Sequence, residues 1–444
     1  MVSCSLPISV MSWPRSSSSS RILLILLLRM EPSIHRSVTS SQAPNVIRGI
    51  ALLGMLIINS QTYSLFAFLT PQQVYQLQLD RSDAYVPMQF FIYLFVKGPF
   101  EMIYSFLFGF WFYKQWESDK QADLDADRIA QLRLVFLLVL GVTHGIIFWS
   151  GDILHLYALL GFSLLYFAKR SVPSLGKWIV GLVLLAILLP FGQVLIQPKG
   201  ATEVIQRDLQ MENILDQLLT SWQQGSIWDV MTNQRMAIMM RYRIAFTQGL
   251  SSYILHETML LIGLIASKLG LPYRITRLKV RFSLFLLLLF PVAFLIKSFS
   301  VLLELGLVVF PAIDQACQPL LVSVSTFIGT LLLTMVYLLE MGLNVRLRPS
   351  GWMMWVGRVG QMGLSNYLLQ TLLCSILFYG YGLGLSGHLT LLESLIPVLG
   401  IYVLQVVSSN LWLRYYQQGP VEYLWHRITY GKSIPSNQTA TVRL

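Results

Sequence analysis

The sequence predicts an all-α protein, a polytopic bundle of about ten transmembrane helices. Hydrophobic residues make up 55% of the 444 residues and charged residues only 12%, a more apolar balance than soluble domains carry. Long apolar runs recur from residue 46 to residue 412, with polar joints between them. Since a helix needs about 20 mainly apolar residues to cross a bilayer, the pattern predicts a multi-pass protein whose main partner is the lipid bilayer.

Ten apolar runs are close to the length of a membrane-spanning helix. We number them spans 1 to 10 in chain order: about 46–66, 99–116, 131–149, 152–168, 177–196, 249–269, 281–300, 318–341, 359–380 and 391–412. A shorter apolar stretch, 86–97, is interpreted as an interfacial segment. Pro99 then stands in the first turn of span 2, where a proline is favoured.

Lysine and arginine are concentrated in alternate joints. Basic clusters precede span 1, separate spans 2 and 3, 4 and 5, 6 and 7, and 8 and 9, and follow span 10. Because short cytoplasmic loops carry the excess of basic residues, both termini are predicted to be cytoplasmic. The net charge of +11 is explained by these clusters, so no nucleic-acid partner is predicted.

The joints also suggest how the chain is organised. The joint 197–248 is the largest outer feature and is expected to contain helices at the membrane interface. The predicted parts are an N-terminal extension at 1–29, an N-terminal half at 30–248, a C-terminal half at 249–431 and a disordered tail at 432–444. The apolar stretch within the extension is too short to span a bilayer, and we hypothesise that Met30 is the natural start.

The three cysteines, Cys4, Cys317 and Cys374, have neither metal-ligand nor CxxC spacing. The sequence therefore implies no disulfide framework and no metal site.

Five stretches resemble the YeiB-like bacterial membrane proteins, a family with a C-terminal domain of unknown function (family 418). They are Arg48–Asn59, Ser105–Gly109, His144–Ala158, Ser365–Gln370 and Gly419–Gly431. The resemblance implies a multi-pass protein of the bacterial inner membrane. The first helix of the family is similar to that of the transmembrane acyltransferases, while other descriptions treat its members as transporters. The resemblance therefore implies either activity.

His144 and Asp152 are the candidate catalytic residues. His144 lies inside the outer end of span 3, where a neutral imidazole can act as a general base on an acceptor hydroxyl or simply bind a neighbouring helix. Asp152 follows Gly151 at the start of span 4, where a carboxylate caps free backbone N–H groups. The short turn also brings Asp152 back beside span 3, where it can orient His144 or a substrate.

Two groups of polar residues are candidates for substrate binding. Arg48, at the cytoplasmic end of span 1, either attracts the phosphates of a donor or anchors the helix. Asn59, at the outer end of the same span, can steady a developing oxyanion. Arg235 is a further candidate in the outer joint.

Span 9 carries the second group. Asn366 and Gln370 share one face of the helix with Tyr367 at its edge, where they bind either a substrate or a neighbouring helix.

Two functions remain open at this stage. One is transfer of an acyl group from a cytoplasmic donor to a small-molecule, lipid or glycan acceptor near the outer face. No cofactor is required with certainty, and acyl-coenzyme A is the candidate donor. The other is transport of a small or amphipathic solute, for which the glycine-rich run Gly380–Gly387 offers a place to break a helix. The sequence does not indicate an oligomeric state or exclude a role without turnover.

Overall fold

The computed structural model describes residues 34–67, 69, 71–196, 213, 216–244, 250–271, 279–308, 317–347 and 350–431. Its regular structure is helical, and the described residues form no strand. The predicted extension 1–29, Met30, Cys4 and the tail 432–444 lie outside these residues.

We number the helices in chain order. They are α1 (Ile34–Tyr63), α2 (Pro71–Gln76), α3 (Tyr85–Phe91), α4 (Pro99–Gln121), α5 (Ala126–Ile147), α6 (Leu154–Phe167), α7 (Val172–Ile196), α8 (216–224), α9 (Ile227–Ile244), α10 (Leu250–Lys268), α11 (Lys279–Glu304), α12 (Gln318–Leu347), α13 (Gly351–Gln361), α14 (Gly363–Phe378), α15 (Leu391–Tyr415) and α16 (Pro420–Tyr430).

The predicted bundle of membrane helices is confirmed. Within the described residues, eight helical segments are long and apolar enough to cross a membrane, and they coincide with spans 1 to 3, 5 to 8 and 10. Spans 4 and 9 coincide with the shorter apolar helices α6, of 14 residues, and α14, of 16 residues. About ten spans are therefore plausible, as the apolar runs predicted. The orientation of the termini stays a prediction.

Span 9 differs from its prediction as one helix over 359–380. The chain breaks at Met362, between α13 and α14. The physical cause lies in α16, where Glu422 Oε1 accepts hydrogen bonds from the backbone N–H groups of Leu364, at 2.7 Å, and Ser365, at 3.1 Å. A continuous helix would direct those N–H groups to its own carbonyls, so the carboxylate provides the partners that permit the break.

The segment before span 2 is helical. α3 continues into a π-helical turn at Ile92–Val96, and the helix then breaks at Gly98, whose φ of 94° is strained for any residue with a side chain. Pro99 opens α4, as predicted. The side chains of Ile92, Leu94 and Val96 are buried, so this stretch packs within the protein more closely than an interfacial segment would.

α1 lies at the centre of the bundle, packed against α4, α12, α13, α14 and α15. Its approach to α13 is close because Gly360 has no side chain: a Cβ atom there would lie 1.9 Å from the backbone oxygen of Asn45. The α4–α10 contact also depends on glycine, at two positions. A Cβ atom at Gly109 or at Gly263 would lie 2.0 Å from a backbone oxygen of the opposite helix. Small residues thus set the helix spacing, as is common in membranes.

We expect Gly263→Ala to lower the melting temperature of the purified protein, because the added methyl group must push α4 and α10 apart. Overpacking of this kind costs about 1–3 kcal/mol. Gly181→Ala in α7 is the matched control, since a Cβ atom there meets nothing within 4 Å. Equal melting temperatures for the two variants would contradict the close α4–α10 approach.

The predicted orientation can be tested with the native cysteines. Cys317 is exposed in the joint predicted to be outside, and Cys374 is buried. In a Cys4→Ser background, we expect a membrane-impermeant maleimide to label Cys317 in intact cells. Asp123→Cys, in the exposed loop between α4 and α5, should react only after permeabilisation when Cys317 is replaced by serine. The opposite pattern would invert the topology.

Candidate functional site

A buried cluster of polar side chains forms where α5, α6 and α14 meet. Gly141 of α5 makes room for it, because a Cβ atom there would lie 2.3 Å from the backbone nitrogen of His155 and 2.9 Å from Oδ2 of Asp152. The short turn after α5 therefore folds Asp152 back against that helix, as the sequence predicted. We call the group of His144, Asp152, His155 and Tyr367 the carboxylate cluster.

Both oxygens of Asp152 are engaged. Oδ1 lies 2.9 Å from Nδ1 of His144 and accepts a hydrogen bond from the Tyr367 hydroxyl at 3.3 Å. Oδ2 lies 2.9 Å from Nδ1 of His155 and accepts the backbone N–H of His155 at 3.1 Å. The last bond is the helix cap expected of a carboxylate at this position. Asp152 thus caps α6 and also contacts the His144 ring, and its role in orienting that ring stays a prediction.

The second nitrogen of the His144 ring is free. His144 is only 4% exposed, and its Nε2 has no hydrogen-bond partner among the residues that the structure describes. We assign the Nδ1 proton from the hydrogen-bond network, since Nδ1 faces a carboxylate. A neutral ring with Nδ1–H donated to Asp152 carries its lone pair on Nε2, which is the form that a general base requires.

His155 and Tyr242 belong to the site but were missed in the sequence. The Tyr242 hydroxyl lies 2.5 Å from Nε2 of His155. His155 could have been found from its place in the first turn of a helix, three residues after a capping carboxylate. Tyr242 carries no such signal, because 87 residues of chain separate it from His155.

Helix α9, from the outer joint, covers the turn between α5 and α6. Gln234 accepts the backbone N–H of Ser150 at 2.9 Å and donates to the Tyr379 hydroxyl at 3.2 Å. Arg235 follows on the exposed side of α9, and none of the described contacts places it at the carboxylate cluster. The expectation of helices in this joint is confirmed for α8 and α9, while 197–212 lies outside the described residues.

Trp149 has a different role from the one its position suggested. A tryptophan at the end of a span is more often an anchor at the membrane interface. Here the side chain is 2% exposed and stacks on Tyr63, with ring centroids 5.1 Å apart. It is part of an aromatic core that includes Phe378 and Tyr379.

Arg48 lies near the break between α13 and α14. Its guanidinium donates to the carbonyl of Gly360 at 3.3 Å and lies 5.6 Å from the ring centroid of Trp111. A Cβ atom at Gly363 would meet Arg48 Cδ at 2.8 Å. Tyr367, which binds Asp152, is only four residues further along α14, a rise of about 6 Å. Arg48 therefore lies about one turn of α14 from the residue that binds Asp152, and its role at the cytoplasmic end of span 1 stays a prediction.

Asn59 is half-buried near the outer end of α1, four residues before Tyr63. The hydrogen bonds of the described carboxylate cluster do not include it. Its role as an oxyanion donor stays a prediction that no described contact supports.

Asn366 and Gln370 link three helices. Asn366 donates to Ser409 of α15 at 2.9 Å, and Gln370 donates to Gln405 of α15 at 2.9 Å and to the carbonyl of Leu52 in α1 at 3.4 Å. Both side chains are buried. These contacts favour helix-to-helix bonding over substrate binding for this pair, whereas Tyr367 on the neighbouring edge points to the carboxylate cluster.

Two uncharacterised bacterial proteins are similar to this chain over most of its length. The chain is 28% identical to the uncharacterised protein YxaH of Bacillus subtilis (strain 168) over 400 residues, which cover 87% of this chain and 93% of YxaH. It is 27% identical to the uncharacterised protein YeiB of Escherichia coli (strain K12) over 415 residues, which cover 88% of this chain and 96% of YeiB. Residues 281–432 match the family described as "Protein of unknown function (DUF418)".

The resemblance to the YeiB-like proteins is confirmed. The family match covers α11 to α16 and so includes Tyr367, while His144, Asp152, His155 and Tyr242 precede it. No solved structure matches the chain. The carboxylate cluster therefore joins the matched C-terminal region to the helices of the N-terminal half.

We expect Asp152→Asn to destabilise the protein, because two histidines lose the charge that their rings face. Leaving buried partners imperfectly paired costs about 1–3 kcal/mol. Thermal unfolding in detergent measures the loss, and Asp123→Asn in the exposed α4–α5 loop is the matched control. An unchanged melting temperature for Asp152→Asn would show that the cluster does not hold α5, α6 and α14 together.

Proposed function

We propose that the protein is a membrane acyltransferase in which His144 is the general base and Asp152 orients it. One observation carries the proposal: the buried His144 ring is bound to a carboxylate through Nδ1 and has its other nitrogen unpartnered among the described residues. A histidine that served only to join helices would use both nitrogens where a partner is available. The arrangement is that of a base held in one tautomer by an acid residue.

The proposed reaction passes an acyl group from a thioester to a hydroxyl group. The acceptor oxygen attacks the carbonyl carbon while its proton moves to Nε2 of His144. The carbon–sulfur bond then breaks, and the coenzyme A thiolate takes the proton from Nε2 of His144, which restores the neutral base. Arg48 of α1 is the candidate for attracting the donor phosphates. Its contact with Gly363, which lies one helical turn before Tyr367 in α14, supports that role.

An apolar cavity lined by Phe148, whose ring is a neighbour of the His144 ring, suggests the kind of acceptor. The Phe148 ring centroid lies 6.1 Å from that of His144. Phe148 also lines a cavity of about 240 Å³ between α5, α9 and α14, together with Val230, Met231 and Leu372. The cavity offers space for the apolar part of a lipid acceptor in the membrane of a bacterial cell, with its hydroxyl group toward the base.

Transport of a small or amphipathic solute is the second candidate. The breaks at Gly98 and Met362 favour it, since transporters often place their sites where membrane helices are interrupted. The run Gly380–Gly387 does not add to this argument, because it forms the turn between α14 and α15.

We expect inverted membrane vesicles containing the protein to transfer label from acyl-coenzyme A to the lipid fraction. His144→Gln should lower the turnover number by about 10²–10⁴, the usual contribution of a general base. Arg48→Ala should instead raise KM for the donor.

The controls are chosen from the exposed surface. His388→Gln replaces an exposed histidine between α14 and α15, and Arg81→Ala removes an arginine whose partner is Glu393. Both should keep wild-type kinetics. Solute uptake by intact vesicles without label transfer would favour transport, and full activity in His144→Gln would exclude the proposed base.

A further inference from the structure

Two exposed arginines lie close together where α13 packs against α15. Arg358 Nη1 donates to Oδ1 of Asn410 at 3.0 Å, and the Asn410 amide donates to the backbone carbonyl of Trp355 at 3.0 Å. Asn410 is buried, so it fixes Arg358 against α15. Arg414 comes one turn after Asn410, a rise of about 6 Å, on the same side of that helix. One anion is therefore within reach of both guanidinium groups, which we call the arginine pair.

The arginine pair has no carboxylate partner among the residues that the structure describes. α13 contains no acidic residue, and α15 has only Glu393, which lies at its opposite end and pairs with Arg81. Glu422, in α16, is bound to the backbone N–H groups at the start of α14. Two positive charges thus stand together without compensation in the described part of the protein, and they favour an anionic ligand.

An exposed apolar stripe on α15 leads to Arg414. Its side chains are between 45% and 69% exposed: Ile396, Leu399, Val403, Val407 and Leu411. Successive members of the stripe are three or four residues apart, as are Leu411 and Arg414, so all of them share one face of the helix. The rise from Val403 to Arg414 is about 16 Å, roughly half the hydrocarbon core and thus the depth of one leaflet. The stripe therefore offers a lipid chain an apolar path that ends at a positive charge.

Aromatic side chains indicate the membrane surface at the same level. Trp355 of α13 is 52% exposed, and Tyr415, directly after Arg414, is 83% exposed. Trp412 stacks on Tyr416 with ring centroids 4.3 Å apart. Tryptophan and tyrosine are enriched where the hydrocarbon core meets the lipid headgroups. The apolar stripe thus ends, and the arginine pair begins, at the depth of the headgroups.

We propose that the arginine pair binds one anionic phospholipid, whose phosphodiester lies between the two guanidinium groups and whose acyl chains lie along the α15 stripe. A guanidinium group presents parallel N–H donors that match the oxygens of a phosphate. A zwitterionic phospholipid carries its own cation beside the phosphate and therefore compensates the arginine pair less. Both arginines belong to joints predicted to be cytoplasmic, so the lipid comes from the cytoplasmic leaflet. Bound there, it contacts α13 and α15 together.

The test is native mass spectrometry of the detergent-purified full chain, titrated with phosphatidylglycerol or with phosphatidylcholine of the same acyl chains. We expect the wild type to bind the first phosphatidylglycerol more tightly than the first phosphatidylcholine. Arg358→Gln and Arg414→Gln should each weaken binding of that phosphatidylglycerol by about fivefold, the usual contribution of one basic residue near an anionic lipid. The double variant should lose about 25-fold, and binding of phosphatidylcholine should not change.

Arg170→Gln is the matched control, because it removes one exposed arginine from the joint between α6 and α7, on the same predicted side of the membrane. It should bind phosphatidylglycerol as the wild type does. Arg414→Gln removes no hydrogen bond or ion pair that the structure describes, so it serves if loss of the Arg358–Asn410 bond unfolds Arg358→Gln. Equal affinity of the wild type for the two lipids, unchanged affinity in Arg414→Gln, or an equal loss in Arg170→Gln would each overturn the proposal. The measurement needs no acyl donor, so its outcome is independent of the proposed enzyme activity.

Discussion

The carboxylate of Asp152 is the interaction on which the centre of this protein depends. It lies in a turn between two membrane helices, yet it is folded back into the bundle and bound from α5, α6 and α14. A charge in a medium without water is expensive unless it is paired, and here each oxygen has at least two partners. The three helices are thereby held in one register, and that register places the free nitrogen of His144 in the interior.

The same constraint governs the backbone. In a bilayer, every peptide group needs a partner within the protein, so a helix can be interrupted only where another group replaces its internal hydrogen bonds. At the break before α14, that group is Glu422. α16 is itself fixed to the bundle at its other end, where the Tyr430 hydroxyl donates to Asp119 of α4 at 2.6 Å. The amphipathic C-terminal helix is therefore a structural part of the membrane domain.

Local features of the chain were sufficient to predict much of this. Apolar runs located the eight long membrane helices and, more approximately, the shorter helices α6 and α14, because a helix that crosses a bilayer needs a long apolar run. The pairing of His144 with Asp152 was also predictable, because the short turn through Gly151 brings the two side chains close together.

Contacts between distant parts of the chain were not predictable. Glu422 caps the N–H group of Leu364, which lies 58 residues earlier in the chain. No residue near Met362 predicts the break in the helix. The burial of Trp149 was not predictable either, because hydropathy does not distinguish a side chain that faces lipid from one that faces protein.

The position of Glu422 in the chain has a consequence for biosynthesis. A ribosome makes α13 and α14 well before it makes α16, so the N–H groups of Leu364 and Ser365 lack their carboxylate partner until α16 has been made. The order of synthesis thus makes the capping of α14 one of the last contacts among the described helices to form.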